Sequence, residues 1–349
     1  MKVKSILSGL CIVVISFSCR NSVKEGSSIV FESNDAENSL NVIMDGKLFT
    51  SFRWPDNVYK PILYPVNTAA GTTVTRGFPL SPREGERNDH IHQVGIWLNY
   101  GNVNGYDFWG NGHRGVKEPN GGEIKHLRIE KLVGGPGEGS FLSVESWLDP
   151  QGKELLSEET EYHFIGQEST RIIDRITTLT AGDTAVFFKD TKEGMFGIRV
   201  ARQLELPSSE GVILLDANGN PSELRDTLNT GVTGNYRSSE GLTGDAVWGT
   251  RAKWMMLYGV IGDEKISITI CDHPENPGYP TYWHARGYGL FAANPLGWVD
   301  FTNGKEEFGF TIPAKKTAQF RYRVIIASGD YLTVEDINTY ADEFNKKYK

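Results

Sequence analysis

Short hydrophobic segments joined by turn residues recur along most of this 349-residue chain. In the clearest case, two apolar segments flank Asp45-Gly46, a pair that readily adopts the positive φ angles of a type I′ hairpin turn. Because the segments are rich in β-branched and aromatic residues, the sequence predicts an all-β fold, an antiparallel β-sandwich of two sheets. Four further hairpins are predicted, which join residues 140–148 to 154–165, 170–179 to 184–188, 252–261 to 265–271, and 307–312 to 317–327.

A single helix is predicted, at the C-terminal end of the chain. Thr333 is a suitable N-cap, and Asp336 stands at the third helical position, where it can complete a capping box. Apolar side chains then recur at helical spacing, which predicts a short helix over residues 333–349 that packs against the sandwich. These apolar residues are Val334, Ile337, Ala341, Phe344 and Tyr348.

The N-terminus has the features of a bacterial export signal. Lys2 and Lys4 precede an apolar run over residues 6–17, which is too short to cross a bilayer comfortably. The run ends just before Cys19, as in lipoprotein signals, so we expect cleavage before Cys19 and lipidation of that cysteine. The alternative is an ordinary secretory signal with an incidental cysteine.

This signal sets the expected domain organisation and location. Residues 1–18 are predicted to be the signal peptide, residues 19–38 a polar tether, and residues 39–349 a single β-sandwich domain that ends in the helix. The protein is then expected in the bacterial cell envelope, in the periplasm or at the cell surface. Its predicted contact with the membrane is through the lipid anchor only.

Charge and cysteine content narrow the classes of partner. The chain has 36 Lys and Arg against 44 Asp and Glu, a net charge of −8, so no nucleic-acid partner is expected. Behind the signal no apolar stretch is long enough to span a membrane. Cys11 would leave with the signal and Cys19 would carry lipid. Cys271 is then a lone cysteine, expected as a small core residue on a strand.

The first segment with candidate site residues holds two histidines. If residues 89–93 are extended, His90 and His92 point to the same face, because strand side chains alternate. Two such imidazoles can bind a divalent metal or take part in proton transfer. Arg76, Asp89 and Trp109 are close in sequence and are candidate substrate-binding residues. A pair of hydrogen-bonded structural histidines is the alternative.

The second segment combines Trp283, His284 and Arg286 in a stretch rich in proline and glycine. These residues supply a flat aromatic ring for a sugar, an acid or base, and a fixed cation, and Asn294 follows as a further polar candidate. The alternative is a packed tryptophan with an arginine that bridges loop carbonyls. A metal at His90 and His92 would need a third ligand, for which Asp89, His284 or another carboxylate is the candidate.

The third segment places charged residues in the otherwise apolar stretch over residues 188–199. Lys189 and Asp190 are candidate substrate-binding residues, and Glu193 is a candidate base. A solvated turn would also explain these charges. The chain has no P-loop, no nucleophile elbow of the Gly-x-Ser-x-Gly type and no His-Glu-x-x-His motif.

Together these segments resemble the bacterial PmoA-like family of unknown function over residues 61–327. The resemblance implies a supersandwich similar to that of galactose mutarotase, in which relatives bind sugars with His, Arg and carboxylate side chains. This chain has Gln93 and Val94 where many relatives have a further His and Arg, which argues against a three-histidine mechanism. The family has been labelled a methane oxygenase subunit, but such a subunit would need several membrane-spanning helices, which this sequence lacks. The resemblance is carried by residues 60–65, 71–76, 89–92, 103–109, 192–194 and 283–286.

The leading hypothesis is a carbohydrate-active enzyme that cleaves a glycosidic bond, by hydrolysis or elimination, or isomerises a sugar or oxidised sugar. His90, His92, His284 and Glu193 are the predicted catalytic residues, and they must therefore meet at one cavity. A glycan-binding surface lipoprotein without catalysis is the second hypothesis. A structural envelope protein, in which the histidines satisfy buried loop backbone, is the third.

Overall fold

The computed structural model of the protein describes residues 26–112 and 114–349. The predicted signal peptide and the lipidation site Cys19 therefore lie outside the described residues. In the described part, two large sheets dominate, and every strand pair within them is antiparallel. This confirms the predicted two-sheet β-sandwich. No helix in residues 26–112 and 114–349 is long and apolar enough to cross a membrane.

The first sheet has nine strands among the described residues. In spatial order they are Tyr282–Ala285, Leu290–Asn294, Gly194–Arg199, Ile96–Tyr100, Ile62–Val66, Lys47–Arg53, Ser39–Met44, Ser28–Asn34 and Gly135–Pro136. We call the face of this sheet that is turned away from the second sheet the outer face.

The second sheet has eight strands in the same part of the chain. In spatial order they are Asn235–Ser238, Trp254–Ile261, Glu264–Asp272, Thr317–Ser328, Thr170–Ala181, Glu154–Gly166, Glu138–Leu148 and Glu123–Val133. Two small two-stranded sheets pair Val186–Phe188 with Phe310–Ile312 and Val212–Leu215 with Pro221–Asp226. Short helical segments are Asp35–Glu37, Arg202–Leu204, Gly244–Val247 and Trp298–Phe301.

Three of the five predicted hairpins are confirmed. Asp45 and Gly46 have φ angles of 53° and 73° and join two paired strands, as the Asp-Gly turn predicts. Residues 138–148 pair with 154–166, and residues 254–261 pair with 264–272. In these cases the turn residues themselves select the partner, because a short turn leaves no other strand within reach.

The other two predicted hairpins are wrong. Thr170–Ala181 pairs with Glu154–Gly166 and with Thr317–Ser328, not with the segment that follows it. Val186–Phe188 pairs instead with Phe310–Ile312, more than a hundred residues away. The long strand has apolar side chains to bury on both faces, so it takes a central place in the large sheet, and the short strand finds a distant partner.

The N-terminal segment predicted as a tether contributes a strand. Within the strand Ser28–Asn34, residues 29–34 pair with Ser39–Met44, and Ile29 is buried in the core. The sheet therefore begins before residue 39, because alternating apolar residues in this segment can be buried against the core.

The core lies between the two large sheets and is rich in aromatic rings. Phe196 of the nine-stranded sheet stacks on Tyr322 of the eight-stranded sheet, with ring centroids 4.8 Å apart. Phe52 of the first sheet similarly contacts Phe141 and Tyr162 of the second, at 5.4 Å and 5.5 Å. Burial of these rings supplies the main favourable term for joining the sheets.

The predicted C-terminal helix is confirmed over Val334–Lys347, with the capping box between Thr333 and Asp336. Ile337 and Phe344 are fully buried against the second sheet, in a cluster that contains Cys271. Burial raises the pKa of the Cys271 thiol to about 12, in keeping with its predicted place as a core residue. The helix covers the far side of the second sheet.

Candidate active site

A cavity of about 570 Å³ opens on the outer face of the nine-stranded sheet, and we call it the histidine cavity. It lies over an apolar cluster on that face, to which Trp97 and Trp109 belong. Segments distant in sequence meet there, because the strands that carry them are neighbours in the sheet. The predicted site residues that line it are His90, His92, Trp109, Glu193, His284 and Arg286.

Strand alternation decides which residue of the pair Trp283-His284 faces the cavity. Opposite residues in the next strand are Ala293 for Trp283 and Ala292 for His284. Ala293 belongs to the core between the sheets, whereas Ala292 belongs to the outer cluster. His284 therefore faces the histidine cavity and Trp283 faces the core.

Trp283 cannot act as the predicted sugar-stacking ring. Its side chain is 0% exposed, packs against Phe291, and donates its indole N–H to the carbonyl oxygen of Ala252 at 3.1 Å. The prediction fails because period-two alternation turns neighbouring residues of a strand to opposite faces.

His284 is a buried neutral imidazole in the cavity wall, 3% exposed. Its Nδ1 lies 2.9 Å from the carbonyl oxygen of Lys192. Because a carbonyl only accepts, Nδ1 carries the proton and Nε2 is left as an acceptor. Burial, with a contribution from Arg286, lowers the pKa of His284 to about 3. Nε2 is therefore unprotonated at ordinary pH and can accept a hydrogen bond, although the low pKa makes it a weak base in the unliganded protein.

Residues 89–93 form a turn, so the condition for the strand-alternation argument, an extended segment, is not met. His90 has a left-handed backbone with φ of 44°, and the Gln93 N–H donates to the His90 carbonyl at 2.9 Å. Both His90 and His92 nevertheless line the cavity, with ring centroids 5.9 Å apart. The turn, and not strand alternation, brings the two rings together.

Two buried arginines hold this turn in place. Arg76, 1% exposed, donates to the carbonyl oxygens of Asp89, His90 and Gln93, and to the Asp89 carboxylate. Arg199 donates to the Asp89 carboxylate and to the Gln93 side chain. Arg76 and Asp89 do not line the cavity, so they position the turn and do not face a substrate there.

The pKa of Asp89 supports this positioning role. Burial alone would raise the pKa of Asp89, but Arg199, together with His90 and Arg76, brings it well below its usual value. Asp89 is thus a carboxylate whose charge is held by the two guanidinium groups. His90 Nδ1 lies 3.3 Å from the second carboxylate oxygen.

Tyr288 is a site residue that the sequence analysis missed. Its ring stacks on His90 with centroids 4.8 Å apart and planes 1° apart. The guanidinium carbons of Arg199 and Arg286 lie 4.9 Å and 5.9 Å from the same ring. Its place two residues after Arg286, between Gly287 and Gly289, was the available signal.

Glu193 lies at the cavity rim as one half of an ion pair. Its carboxylate is 3.0 Å from Lys192 Nζ, and both side chains are more than a third exposed. Burial lowers the pKa of Lys192, but the hydrogen bond that it donates to Glu193 and the negative charges of Glu193 and Asp300 together outweigh burial, so the net shift is upward. The pair presents a cation and an anion to whatever occupies the cavity.

Lys189, Asp190 and Asn294 do not line the cavity. Lys189 is exposed. The Asp190 carboxylate accepts the backbone N–H groups of Val299 and Phe308 at 3.0 Å and 2.7 Å, and Asn294 donates to the carbonyl of Thr191 at 2.9 Å. Asp190 and Asn294 therefore shape the segment that carries Lys192 and Glu193.

Asp107 and Lys60 are further residues that the sequence analysis did not single out. Asp107 lines the cavity and accepts the backbone N–H groups of Trp109 and Gly110 at 2.9 Å and 2.8 Å. Lys60 is buried and donates to the carbonyl of His92 at 2.7 Å. Burial lowers the pKa of Lys60 to about 7, although Asp107 opposes the shift.

The described residues contain no cluster of three or more His, Cys, Asp or Glu side chains that could hold a metal ion. His90 and His92 are close to one another, but neither Asp89 nor His284 joins them as the third ligand that the metal hypothesis requires. Among the described residues, the groups that line the histidine cavity include three imidazoles, the ion pair of Lys192 with Glu193, and aromatic rings.

Three solved structures illustrate the level of similarity to known folds. The galactosidase domain of the α-galactosidase-sucrose kinase AgaSK is 10% identical, with 86% of this chain and 42% of that chain covered and a TM-score of 0.38. The GH36 α-galactosidase AgaA of Geobacillus stearothermophilus, solved with stachyose, is 11% identical, with 86% and 40% covered and a TM-score of 0.38. The Slr1438 protein of Synechocystis sp. PCC 6803 is 9% identical, with 92% and 100% covered and a TM-score of 0.33.

These neighbours indicate no activity for this chain at such similarity, and the chain spans about two fifths of the length of either galactosidase. No curated protein matches the sequence. A family model described as a family of unknown function, DUF6807, matches residues 39–342, which include every residue of the histidine cavity. The chain therefore belongs to the DUF6807 family.

Proposed function

We propose that the protein is a carbohydrate-active enzyme that binds a sugar or oxidised sugar in the histidine cavity. The observation that carries this proposal is the meeting of three imidazoles and the Glu193 carboxylate in one cavity of about 570 Å³. Such a cavity has the size of a small-molecule site, roughly 300–1,000 Å³. The resemblance to the PmoA-like proteins, and through it to sugar-binding supersandwiches, points to the same substrate class.

In this proposal His284 Nε2 accepts a hydrogen bond from the reacting group of the substrate, and an anionic substrate in the cavity raises its low pKa so that it can take the proton. Its neutral state is maintained by burial, and its orientation by the bond from Nδ1 to the Lys192 carbonyl. His90, an exposed imidazole in the same cavity, is assigned the part of the proton donor. The reaction is glycosidic cleavage, by hydrolysis or elimination, or isomerisation.

Binding is assigned to the charged and aromatic groups of the wall. Arg286 and Lys192 supply cationic donors for hydroxyl groups or for a developing oxyanion. Glu193 lies beside Lys192 and accepts from sugar hydroxyls, or acts as a second base when substrate displaces the lysine. Tyr288 provides an aromatic surface, and the buried Trp109 forms part of the cavity wall behind it.

A glycan-binding function without catalysis is the second candidate. It is favoured by the state of the two cavity carboxylates, because Glu193 is paired with Lys192 and Asp107 accepts two backbone N–H groups. Carboxylates engaged in this way hold other groups of the site in place, which fits a binding role.

A glycan panel that includes oxidised sugars separates the two functions. We expect turnover of at least one member by the native protein, and a loss of about a hundredfold or more in His284→Asn with binding retained. Asparagine keeps a donor to the Lys192 carbonyl but removes Nε2. The matched control is His163→Asn, since His163 is an imidazole paired with Glu138 on the other sheet.

The outcomes separate as follows. Binding without turnover by the native protein would establish the glycan-binding function instead. Equal turnover by native protein and His284→Asn would remove His284 from the catalytic residues. A loss in His163→Asn as large as that in His284→Asn would show that the effect is not specific to the cavity.

We also propose that the protein is held in the cell envelope by lipid at Cys19. The proposal rests on the position of this cysteine just after a short apolar run. Cys19→Ser should move the protein from the membrane fraction to the soluble fraction of the producing cells. Retention of the variant in the membrane fraction would refute lipid anchoring at this residue.

A further inference from the structure

A second cavity of about 550 Å³ adjoins the histidine cavity, and we call it the Trp248 cavity. Arg286 and Tyr288 line both cavities. We infer that the substrate passes over Arg286 and Tyr288 and fills both cavities, so that the protein takes a glycan of two or more units with a neutral unit in the Trp248 cavity. This inference rests on the proposed function, which it makes more specific.

Arg286 is placed to contact both units. Its guanidinium carbon lies 5.3 Å from the Trp248 ring and 5.9 Å from the Tyr288 ring, so that it is held between the two aromatic side chains. Within the described residues its guanidinium makes these ring contacts and no side-chain hydrogen bond. Its N–H donors therefore remain available to a ligand at the junction of the cavities.

The walls of the Trp248 cavity have the chemistry of a sugar subsite. Trp248 is half-buried, and its indole is held edge-to-face against Phe301 with centroids 5.6 Å apart. A fixed indole of this kind offers a flat apolar surface to the C–H face of a sugar ring. Asp245 and Glu210 supply carboxylate acceptors for its hydroxyl groups.

The charges of this cavity favour a neutral unit over an acidic one. Arg87 lines the cavity, but its guanidinium is already paired with Glu205 at 2.7 Å. An acidic unit would face Asp245 and Glu210 with only Arg286 to offset them. Like charges at short range in a partly enclosed site are unfavourable, whereas neutral hydroxyl groups donate to both carboxylates.

Gly287 offers a second way to probe the same cavity. It lines the Trp248 cavity between Arg286 and Tyr288, and a Cβ there would lie 3.1 Å from Asp245 Oδ1 and 3.5 Å from the Leu206 Cβ. A methyl group at residue 287 would therefore displace the Asp245 carboxylate by a few tenths of an ångström. Gly287→Ala changes the Trp248 cavity and leaves the histidine residues untouched.

The test measures binding of neutral oligosaccharides of one to five units, and of the same series with one terminal unit oxidised, to the native protein and to Trp248→Ala. For the native protein we expect affinity to rise with length from one unit to two or three. For Trp248→Ala we expect affinity for the longer members to fall about fivefold to tenfold, while affinity for single units is unchanged. Gly287→Ala should also weaken the longer members selectively.

Trp298→Ala is the matched control. Trp298 is also half-buried, and it also lies over an arginine, Arg251, at 4.7 Å, but it lines neither cavity. This variant should keep the dependence on length. A native protein that binds all lengths equally, or a Trp248→Ala protein that keeps the native dependence on length, would overturn the inference.

The result also separates this inference from the proposed function. Loss of length dependence in Trp248→Ala, with no turnover of any member by the native protein, would support the extended glycan site and refute catalysis. Turnover that depends on His284 but not on length would support catalysis and refute the extended site. Failure of the native protein to bind any member would refute both.

Discussion

Acidification should destabilise the native protein through His284, and replacement of His284 by asparagine should remove this effect. The pKa of His284 falls from 6.5 to about 3 in the folded protein, first because of burial and then because of Arg286. Lys192 also disfavours the protonated form, and the Lys192 carbonyl and Asp300 favour it without reversing the shift. Above the unfolded pKa the imidazole is neutral in both states and contributes no dependence on pH.

The sign and size follow from proton binding in the two states. As the pH falls below 6.5, the unfolded chain binds a proton at His284 that the folded protein does not bind until the pH is near 3. Folding stability therefore decreases over this window. A pH of about 5 is about one and a half units below the unfolded pKa. At ~1.4 kcal/mol per unit, the free energy of unfolding is then lower by about 2 kcal/mol than at neutral pH.

Urea unfolding at about pH 7.5 and about pH 5 measures this effect. Between the two conditions, the free energy of unfolding of the native protein should fall by about 2 kcal/mol more than that of His284→Asn. Burial also lowers the pKa of His126, to about 4, but this contribution is present in both proteins and cancels. Equal losses in native protein and His284→Asn would refute a neutral, buried His284.

Two further substitutions test how the site is built. Asp89→Asn removes the charge that two buried arginines share, so it should lower the free energy of unfolding by about 2–4 kcal/mol in urea titrations at neutral pH; a change within error would show that the turn does not depend on this ion pair. Trp109 and Trp283 are both buried, so either change to Leu should cost about 3 kcal/mol, but only Trp109→Leu should weaken glycan binding by the folded fraction, because Trp109 lines the cavity. The reverse order in binding assays would contradict the assignment of Trp109 to the cavity and Trp283 to the core.

Local sequence was sufficient for much of the fold. The Asp45-Gly46 turn and the Thr333 capping box depend on residues a few positions apart, and both were predicted in place. The long-range pairing of Val186–Phe188 was missed, because nothing within the strand indicates a partner more than a hundred residues away. Turn chemistry predicts neighbours in sequence, and burial selects partners in space.

The same contrast between local sequence and long-range contacts applies to the candidate site. The residue types of the segments around His90 and His284 pointed to a binding site, and both histidines line one cavity. Which residues face that cavity depends on the strand register, which the sequence alone did not show. In the observed register Trp283 points into the core. Arg76 likewise had the chemistry of a ligand-binding residue, yet the folded chain uses its N–H donors to hold a turn.

Composition and local patterns were thus enough to establish a β-sandwich, a terminal helix and the chemistry available to the chain. The tertiary structure decided which groups meet, because strand register and burial depend on contacts between segments far apart in sequence. It made His284 a neutral acceptor, left the Arg286 guanidinium between two aromatic rings, and joined two cavities along one wall. These properties belong to neighbourhoods in space, and no stretch of the sequence contains them.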